Sequence, residues 1–337
     1  MKAVVMISTG EPDVLQLKDW PHPAITDDRQ LLVRLKAAGV NPLDTKLRRR
    51  GTFYPQRMPA VLGCDGSGVV ERIGARVDRF KAGDEVYFFN GGIGADPGNY
   101  AQYTLVDERF AARKPASVSF AEAAAAPLVL ITAWESLHDR AHIRAGQRVL
   151  VHAGAGGVGH VAIQLAKLAG AQVCVTVGSQ DKAQFASELG ADRAILYRER
   201  DFVGEVRDWT QGQGVDVALD TVGGDTFVKT FGAVSFYGDI VTILEPPRDA
   251  DWKEARMRNQ RVSLELMLSP MLQGLTEWRE HQTHILEQCA ALIDAGKLKV
   301  RVCRTLSLAQ AAEAHRALER GEAMGKFVLD TEDLRNL

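Results

Sequence analysis

Apolar residues change their spacing across a glycine-rich turn in the middle of the chain. Before the turn, Val149 and Val151 lie in a short run with high β propensity. After it, apolar residues recur at the spacing of one helix face, at Val158, Val161, Ala162, Leu165 and Leu168. A glycine turn between a strand and a helix lets pyrophosphate approach the backbone, and the free N–H groups of the helix start favour negative charge. The pattern predicts a dinucleotide-binding turn that includes Gly154, Gly156, Gly157, Val158 and Gly159.

The first third of the chain has a different pattern. Residues 1–125 are rich in Gly, Pro and short β-prone runs, among them residues 31–35 and 68–71. This pattern predicts a domain of strands and turns. An alanine-rich helix over residues 121–126, followed by Pro127, marks the end of that domain.

From Pro127 onward the pattern alternates between short apolar strands and amphipathic helices. Strand candidates occur at residues 148–151, 172–177, 193–197, 215–220, 239–244 and 262–268. Strands that alternate with helices form a parallel sheet with helices on both faces, joined by right-handed crossovers. We therefore predict an α/β fold in which residues 126–268 form a doubly wound, six-stranded parallel sheet.

Residues 269–337 contain too few elements for a third domain. The pattern predicts helices at 275–295 and 308–320 and strands at 299–302 and 326–329. We expect these pieces to complete the first domain. Residues 1–125 and 269–337 would then form one domain, interrupted by the nucleotide-binding domain.

Composition narrows the range of partners. The chain has 337 residues, of which 46% are hydrophobic and 25% are charged, and its net charge is −2. These values are typical of a soluble globular protein and give no electrostatic reason to expect nucleic acid or a membrane as a partner. We expect the one basic cluster, residues 48–50, to be a solvated turn. The four cysteines are far apart and no apolar stretch could span a bilayer, so we expect free thiols and a cytoplasmic protein.

Motifs spread over the whole chain resemble one enzyme superfamily. In addition to the glycine turn they include Asn41-Pro-Leu-Asp44, Gly63-Cys-Asp65, Gly83-Asp84, Leu189-Gly-Ala-Asp192 and Gly325-Lys326. In this order they resemble the medium-chain dehydrogenase/reductase superfamily, and within it the zinc-free, zeta-crystallin-like quinone oxidoreductases. The resemblance implies a GroES-like, β-rich catalytic domain that is split around a Rossmann domain.

Zinc-dependent members of that superfamily hold a catalytic metal with side chains that this sequence lacks. Asn41 stands where they have the first cysteine. Cys64 and Asp65 stand where they have His-Glu, and residues 127–131 are apolar where the third ligand falls. A catalytic zinc needs three protein ligands, and Cys64 is the one candidate. We therefore expect no metal, and we interpret Cys64 as a small buried thiol.

The end of the second strand of the nucleotide domain bears on the choice of nicotinamide. NAD-binding domains usually have an acidic residue there, whereas this chain has Gly178 and Ser179 and no carboxylate. Lys182 adds a cation that would favour a 2′-phosphate. The resemblance adds Tyr197 to the same phosphate site. We therefore predict NADPH as the cofactor; the alternative is that Ser179 only caps a helix and Lys182 is a surface charge, with Asp181 close by as an opposing negative charge.

The resemblance also implies roles around the reacting atoms. It places Asn41 beside the nicotinamide, Tyr54 on the substrate side and Thr132 on the helix before the glycine turn. We expect these three residues to be catalytic, and Asn41 and Thr132 to contact the cofactor as well. Further cofactor contacts are expected at Val222, Leu244, Met267 and Lys326. The hydride comes from the nicotinamide, so the protein has to position the acceptor, stabilise charge on its oxygen and manage a proton.

Three functions remain open at this point. The favoured one is an NADPH-dependent reductase of quinones or of α,β-unsaturated carbonyl compounds, that is, enones and alkenals. The second is an alcohol dehydrogenase. The third is a non-catalytic nucleotide-binding or structural protein.

The last strand candidate of the nucleotide domain bears on assembly. This segment, from Val262 to Leu268, would form an edge of the sheet, which a protein must cover or pair. Relatives pair this strand with its copy about a two-fold axis, and such an interface closes at two subunits. We therefore expect a homodimer.

Overall fold

The chain forms two units in the computed structural model, which describes residues 1–333. The first unit is Met1–Leu128 together with the chain from Pro270 onward, and the second unit is Val129–Ser269. Within the described residues, no helix combines the length and the apolar character needed to cross a membrane.

The N-terminal part of the first unit is mostly strand. Its strands are β1 (Lys2–Met6), β2 (Leu15–Asp19), β3 (Gln30–Val40), β4 (Ala60–Val61), β5 (Asp65–Ile73), β6 (Glu85–Phe89), β7 (Tyr103–Asp107) and β8 (Ala111–Arg113). Its helices are α1 (Pro42–Arg50) and α2 (Phe120–Ala124). Asn41 and Ser119 cap these two helices, each in a capping box with the acidic residue three positions later.

Strands and helices alternate through the second unit. Helix α3 (Pro127–Trp134) leads into it and continues as a π-helix over Glu135–Arg140. The strands are β9 (Arg148–Val151), β10 (Gln172–Val177), β11 (Arg193–Leu196), β12 (Val215–Asp220), β13 (Val234–Thr242) and β14 (Arg261–Leu264). The helices between them are α4 (Gly157–Leu168), α5 (Gln180–Glu188), α6 (Phe202–Trp209), α7 (Gly224–Ala233) and α8 (Lys253–Met257).

The chain then returns to the first unit. Its remaining elements are α9 (Ser269–Gln273), α10 (Thr276–Asp294), β15 (Val302–Ser307), α11 (Ala311–Glu319) and β16 (Lys326–Asp330). Strand β16 pairs antiparallel with β3, from Phe327 opposite Val40 to Asp330 opposite Ala37. A strand from late in the sequence therefore lies beside one that begins near residue 30.

The second unit contains one parallel sheet with the strand order β11-β10-β9-β12-β13-β14. Side chains from strands and helices, including Leu150, Phe227, Phe231 and Ile240, form a buried core on one of its faces. The chain order reverses between β9 and β12, and open α/β sheets bind ligands at the carboxyl ends of strands at such a point. This sheet confirms the predicted α/β fold with six parallel strands.

The first unit is organised around β3. This strand is central in a sheet with the order β15-β16-β3-β5-β6-β8, and β7 also pairs with it. Alternate residues of β3, Leu31, Val33 and Leu35, are buried against Val70 and Phe88. A separate three-stranded sheet has the order β2-β1-β4.

Several local predictions are wrong. The strand expected at residues 299–302 lies at Val302–Ser307, where its pairing with β16 begins. Strand β13 begins at Val234 rather than at residue 239, because a register shift against β12 accommodates extra residues there. Residues 48–50 are not a solvated turn: Arg48 lies in α1, is fully buried and donates to Oε1 of Glu319 at 2.5 Å.

Candidate active site

The glycine turn between β9 and α4 is a place where side chains do not fit. A Cβ added to Gly154 would lie 2.7 Å from Cβ of Val175, and one added to Gly159 would lie 2.3 Å from the carbonyl oxygen of Ala153. Gly156 precedes α4 as its N-cap and has no side chain to occupy the first N–H groups of the helix. Within residues 1–333 no side chain caps the start of α4, so its first N–H groups are available to a ligand, and the turn fits a pyrophosphate.

A second part of the candidate cofactor site lies at the carboxyl end of β10. A Cβ added to Gly178 would lie 3.2 Å from the hydroxyl oxygen of Tyr197, so these two residues are neighbours. The Ser179 side chain accepts a hydrogen bond from the backbone N–H of Lys182 at 3.4 Å and caps α5. Capping uses the acceptor side of the hydroxyl, and its O–H can still donate to a phosphate. The structure thus brings the four predicted phosphate residues to one edge.

Asp220 is a structural residue of this site that the sequence analysis missed. It is buried at the end of β12, and its Oδ1 accepts from the N–H groups of Val222 and Gly223, both at 2.9 Å. Its Oδ2 accepts from the Thr242 hydroxyl at 2.8 Å. These bonds hold the turn that exposes Val222, one of the predicted cofactor contacts. A Cβ added to Gly223 would lie 2.8 Å from Cδ1 of Leu244, a second predicted contact. The sequence signal for this role was a carboxylate, Asp220, at the end of an otherwise mostly apolar strand.

Two further predicted residues lie in the second unit. Thr132 is on α3 and Met267 follows β14, and both are buried. Their contacts with a cofactor stay predictions.

In the first unit, Asn41 follows β3 and caps α1. Its backbone N–H donates to Oδ2 of Asp44 at 2.8 Å, and the N–H of Asp44 donates to the carbonyl oxygen of Asn41 at 3.0 Å. Pro42 occupies the first helical position, where a missing N–H costs nothing. The Asn-Pro-Leu-Asp motif is therefore a helix start that fixes the backbone of Asn41.

The side chain of Asn41 lies between two opposite charges. Its Nδ2 donates to Oδ2 of Asp65 at 2.9 Å, and its Oδ1 accepts from Nζ of Lys326. Nζ of Lys326 is also 3.5 Å from Oδ2 of Asp65. Asp65 begins β5 and Lys326 begins β16, and these strands flank β3 in the sheet. We call Asn41, Asp44, Asp65 and Lys326 the Asn41 cluster.

Burial dominates the electrostatics of the cluster. It raises the pKa of Asp44 to about 7 and raises the pKa of Asp65, and it lowers the pKa of Lys326. The ion pair between Asp65 and Lys326 opposes the pKa shifts of these two residues. Oδ1 of Asp65 also accepts a hydrogen bond from the N–H of Leu128 at 2.8 Å. Burial likewise raises the pKa of the Cys64 thiol, which is fully buried as expected and stays neutral.

A chain of buried polar groups continues from Asp44 and was missed by sequence reasoning. The Tyr100 hydroxyl donates to Oδ2 of Asp44 at 3.0 Å and lies 3.2 Å from Nε2 of His315. Burial lowers the pKa of His315 to about 3, so this imidazole is neutral at physiological pH. Tyr100 and His315 belong to segments far from residue 44, and no local pattern indicates their meeting.

Tyr54 is not joined to this cluster by any hydrogen bond within residues 1–333. It is half-buried, its backbone N–H donates to the Thr52 hydroxyl at 3.3 Å, and its ring lies 5.8 Å from the guanidinium carbon of Arg57. Its predicted place on the substrate side stays a prediction.

The donor set at the Asn41 cluster does not suit a catalytic zinc. Within residues 1–333, no group of three or more His, Cys, Asp or Glu side chains could hold a metal ion. Asn41 and Asp65 already contact the ammonium of Lys326, and this charge would repel a second cation at the same place. Cys64 would be a lone thiol ligand, fewer than the three protein ligands that zinc requires.

Comparisons with known proteins cover almost the whole chain. Residues 27–116 match the alcohol dehydrogenase GroES-like domain, and residues 189–329 match a domain described as zinc-binding dehydrogenase. The chain is 34% identical over 322 residues to quinone oxidoreductase 1 of Escherichia coli strain K12. The aligned region covers 95% of this chain and 96% of that protein.

Solved structures give the same picture. An alcohol dehydrogenase superfamily protein from Novosphingobium aromaticivorans superposes with a TM-score of 0.90 and 34% identity, covering 98% of this chain and 100% of that one. The Escherichia coli quinone oxidoreductase complexed with NADPH superposes with a TM-score of 0.87 and 31% identity, again covering 98% of this chain and 100% of that one.

Proposed function

The chain belongs to the medium-chain dehydrogenase/reductase superfamily, in its zinc-independent quinone oxidoreductase branch, and from this premise we propose that it reduces quinones with NADPH. It is an oxidoreductase, as the resemblance implied. The structural observation that carries the proposal is the Asn41 cluster. Where the resemblance puts zinc ligands, this chain has the buried amide of Asn41 and the buried thiol of Cys64, and both Asn41 and the adjacent carboxylate of Asp65 contact the ammonium of Lys326.

NADPH is the proposed cofactor because the residues present fit it. Its pyrophosphate would be held at the glycine turn, and its 2′-phosphate would be held at Gly178, Ser179, Lys182 and Tyr197. The Escherichia coli quinone oxidoreductase that superposes on this chain was solved with NADPH. A carboxylate at the end of β10 would repel the 2′-phosphate, and this chain has none at that turn.

The cofactor supplies the hydride, and the chain's own residues do the rest of the work. The N–H groups at the start of α4 bind pyrophosphate charge. Val222 and Leu244 line the edge of the sheet beside β12 and contact the cofactor. Asn41, Tyr54 and Thr132 orient the nicotinamide and the acceptor and stabilise the charge that develops on the acceptor oxygen.

Quinones come before enones and alkenals as the proposed acceptor class. Hydride addition to a quinone gives an anion that its own aromatic ring stabilises, whereas the enolate from an enone depends more on hydrogen bonds from the protein. Tyr54 carries the hydroxyl that we assign to this task. Tyr54→Phe should lower kcat for an enone by ~10²-fold, the usual cost of one oxyanion donor, and lower kcat for a quinone much less. Loss of absorbance by NADPH measures both rates.

The test of the function is a screen of NADPH consumption with quinones, enones, alkenals and simple aldehydes, each repeated with NADH. We expect the highest kcat/KM with a quinone and NADPH, unchanged after dialysis against a chelator. Activity confined to alcohols and aldehydes, or activity lost with the chelator, would favour the alcohol dehydrogenase. Binding of NADPH with no turnover of any acceptor would favour a non-catalytic role.

We also propose a homodimer that forms through β14. This strand lies at one edge of the sheet; Leu264, its last residue, is 61% exposed, and Leu266, which follows it, is 52% exposed. Such an edge is a template for pairing unless it is covered. Light scattering at micromolar concentration should give the mass of two chains, and Leu264→Lys should shift it toward one. A monomeric wild-type protein would contradict the proposal.

A further inference from the structure

His152 connects the glycine turn to the rest of the second unit. It follows β9 directly, precedes the turn and is fully buried. Its backbone N–H donates to the carbonyl oxygen of Leu219 at 3.0 Å, and its own carbonyl oxygen accepts from the Thr221 hydroxyl at 2.8 Å. Leu219 lies on β12, and Thr221 follows that strand. The backbone of His152 is therefore fixed to the neighbouring strand of the sheet.

The imidazole of His152 lies between two threonine hydroxyls. Nδ1 is 3.0 Å from Oγ1 of Thr176 on β10, and Nε2 is 2.9 Å from Oγ1 of Thr230 on α7. The ring of Phe202 makes an edge-to-face contact with the imidazole, with 4.9 Å between the centroids. Burial lowers the pKa of His152 to about 4, although the nearby Asp220 carboxylate opposes this shift. The imidazole is therefore neutral at physiological pH and has one donor and one acceptor nitrogen.

The hydrogen bonds around the ring decide which nitrogen carries the proton. The Thr230 hydroxyl donates its one hydrogen to the carbonyl oxygen of Thr226 at 2.6 Å, so its oxygen can only accept from the imidazole. Nε2 of His152 therefore carries the proton, and Nδ1 accepts from the Thr176 hydroxyl. Oγ1 of Thr176 in turn accepts from the backbone N–H of Ala153 at 3.3 Å. These bonds form one directed chain from α7 to the backbone of the glycine turn.

Ala153 is the residue through which this chain of bonds acts on the turn. Its φ of 49° lies in the left-handed region, which is energetically unfavourable for a residue with a side chain. Its carbonyl oxygen accepts from the N–H of Gly156 at 2.8 Å and lies where a Cβ on Gly159 would clash. The carbonyl oxygen of Thr176 also accepts from the N–H of Gly154 at 3.0 Å. The orientation of Ala153 therefore determines the path of the backbone into the start of α4.

We propose that His152 is a positioning residue for the cofactor: its ring holds the glycine turn in the shape that binds pyrophosphate, and its carbonyl oxygen joins that turn to the turn that exposes Val222. The inference rests on the proposed function, because the pyrophosphate is that of NADPH. His152 is fully buried, so it acts through Ala153 and Thr176. NADH carries the same pyrophosphate, so His152 should affect both cofactors equally, unlike the residues proposed for the 2′-phosphate.

His152→Phe tests the inference, because it keeps a ring beside Phe202 and removes both hydrogen bonds of the imidazole. The dissociation constants of NADPH and of NADH, measured by fluorescence titration, should each rise by ~10-fold, the usual scale for the loss of one hydrogen bond. With saturating NADPH, kcat for a quinone should stay within about threefold of the wild type, because the loss of uniform binding raises KM and leaves kcat unchanged.

His152→Asn and Thr210→Val are the matched comparisons. An asparagine amide oxygen can take the place of Nδ1 and accept from Thr176, so His152→Asn should recover NADPH affinity to within about threefold of the wild type. Thr210→Val removes a buried hydroxyl that donates to the carbonyl oxygen of Val206 at 2.8 Å, elsewhere in the same unit. It should lower the free energy of unfolding and leave the affinity for both cofactors unchanged.

Thr176→Val keeps the inference testable if His152→Phe fails to fold. It removes the hydroxyl on the other side of the same bond, and NADPH affinity should fall by the same ~10-fold. In the double variant the two losses should not add, because both break one chain of bonds. Nitrogen-15 NMR of the wild type supplies a second measurement. His152, identified by its absence from the spectrum of His152→Asn, should be protonated at Nε2 and unprotonated at Nδ1.

Each adverse outcome has its own meaning. Unchanged NADPH affinity in both His152→Phe and Thr176→Val would overturn the inference while the proposed function stands. A loss for NADPH alone, or an equal loss in Thr210→Val, would also overturn it. A proton on Nδ1, or no recovery in His152→Asn, would contradict the directed chain of bonds and the inference with it. A wild type that binds NADPH but reduces no quinone would overturn the proposed reaction alone, and a wild type that binds neither cofactor would overturn both.

Discussion

The glycine turn and the Asn41 cluster use side chains in opposite ways. The close backbone packing of the turn requires that side chains are missing: a single Cβ at Gly159 would lie 2.3 Å from a backbone oxygen. The cluster works because side chains of opposite charge are held together away from water, with Asp65 and Lys326 on either side of Asn41. The first is a local device of the backbone, and the second needs three strands of the sheet. Three substitutions test this contrast.

The largest effect is expected where a methyl group enters the turn. Gly159→Ala should displace the start of α4 and remove about two charge-assisted hydrogen bonds to pyrophosphate, worth ~1.5–3 kcal/mol each. NADPH should then bind weaker by ~10²-fold or more. Fluorescence titration measures this. Gly204→Ala in α6, where the added Cβ lies 3.3 Å from Oδ2 of Asp201, is the control and should bind normally. Normal affinity in Gly159→Ala would show that the turn tolerates a side chain.

The next effect concerns the buried charges. The pKa of Asp44 is raised from 3.8 to about 7 in the folded protein, chiefly by burial. Between these values the folded state holds a proton that the unfolded state has lost, so the free energy of unfolding decreases as the pH rises toward 7. The decrease amounts to at most ~4 kcal/mol for this group.

Asp44→Asn removes this titrating group, so the free energy of unfolding should depend less on pH. Urea unfolding at pH values between 4 and 8 measures the free energy of unfolding for both proteins. Asp28→Asn, at an exposed carboxylate of the same unit, should retain the wild-type slope. The same slope in Asp44→Asn would mean that the buried carboxyl group does not titrate in this range.

The smallest of the three effects concerns the choice between NADPH and NADH. Lys182→Ala should weaken NADPH by ~1.5–3 kcal/mol if one charge-assisted contact is lost, and should weaken NADH little. Lys167→Ala is the control, because its ammonium pairs with Asp192 at 2.8 Å elsewhere in the same unit. Equal losses for the two cofactors would contradict the assignment of Lys182 to the 2′-phosphate.

The contrast also explains which parts of the fold and of the candidate site could be predicted from the sequence. The strands and helices of the second unit were predictable because the change in apolar spacing and the glycine turn are local signals. The position of Gly178 and Ser179 at the end of β10 follows from the same pattern. Elements whose partners are near in sequence leave a periodic record, and the residues that belong to them can be named without a structure.

The Asn41 cluster could be predicted only in part. Asn41 and Lys326 were named from the resemblance, but their bond spans 285 positions and no spacing indicates it. Arg48 shows the same limit: three successive arginines predict solvent, yet Arg48 is fully buried because Glu319 on α11 supplies a carboxylate. Contacts of this kind depend on how distant strands and helices pack, which a single sequence does not record.

The pairing of β16 with β3 has a consequence for how the chain folds during its synthesis on the ribosome. All of the second unit is synthesised before Lys326, so its sheet can form while the chain is still growing. The first unit, although its synthesis begins earlier, must wait for β16 to emerge. Until then Asn41 and Asp65 lack the ammonium of Lys326 that they contact in the folded chain. Synthesis order thus makes the Asn41 cluster one of the last parts of the chain to be completed.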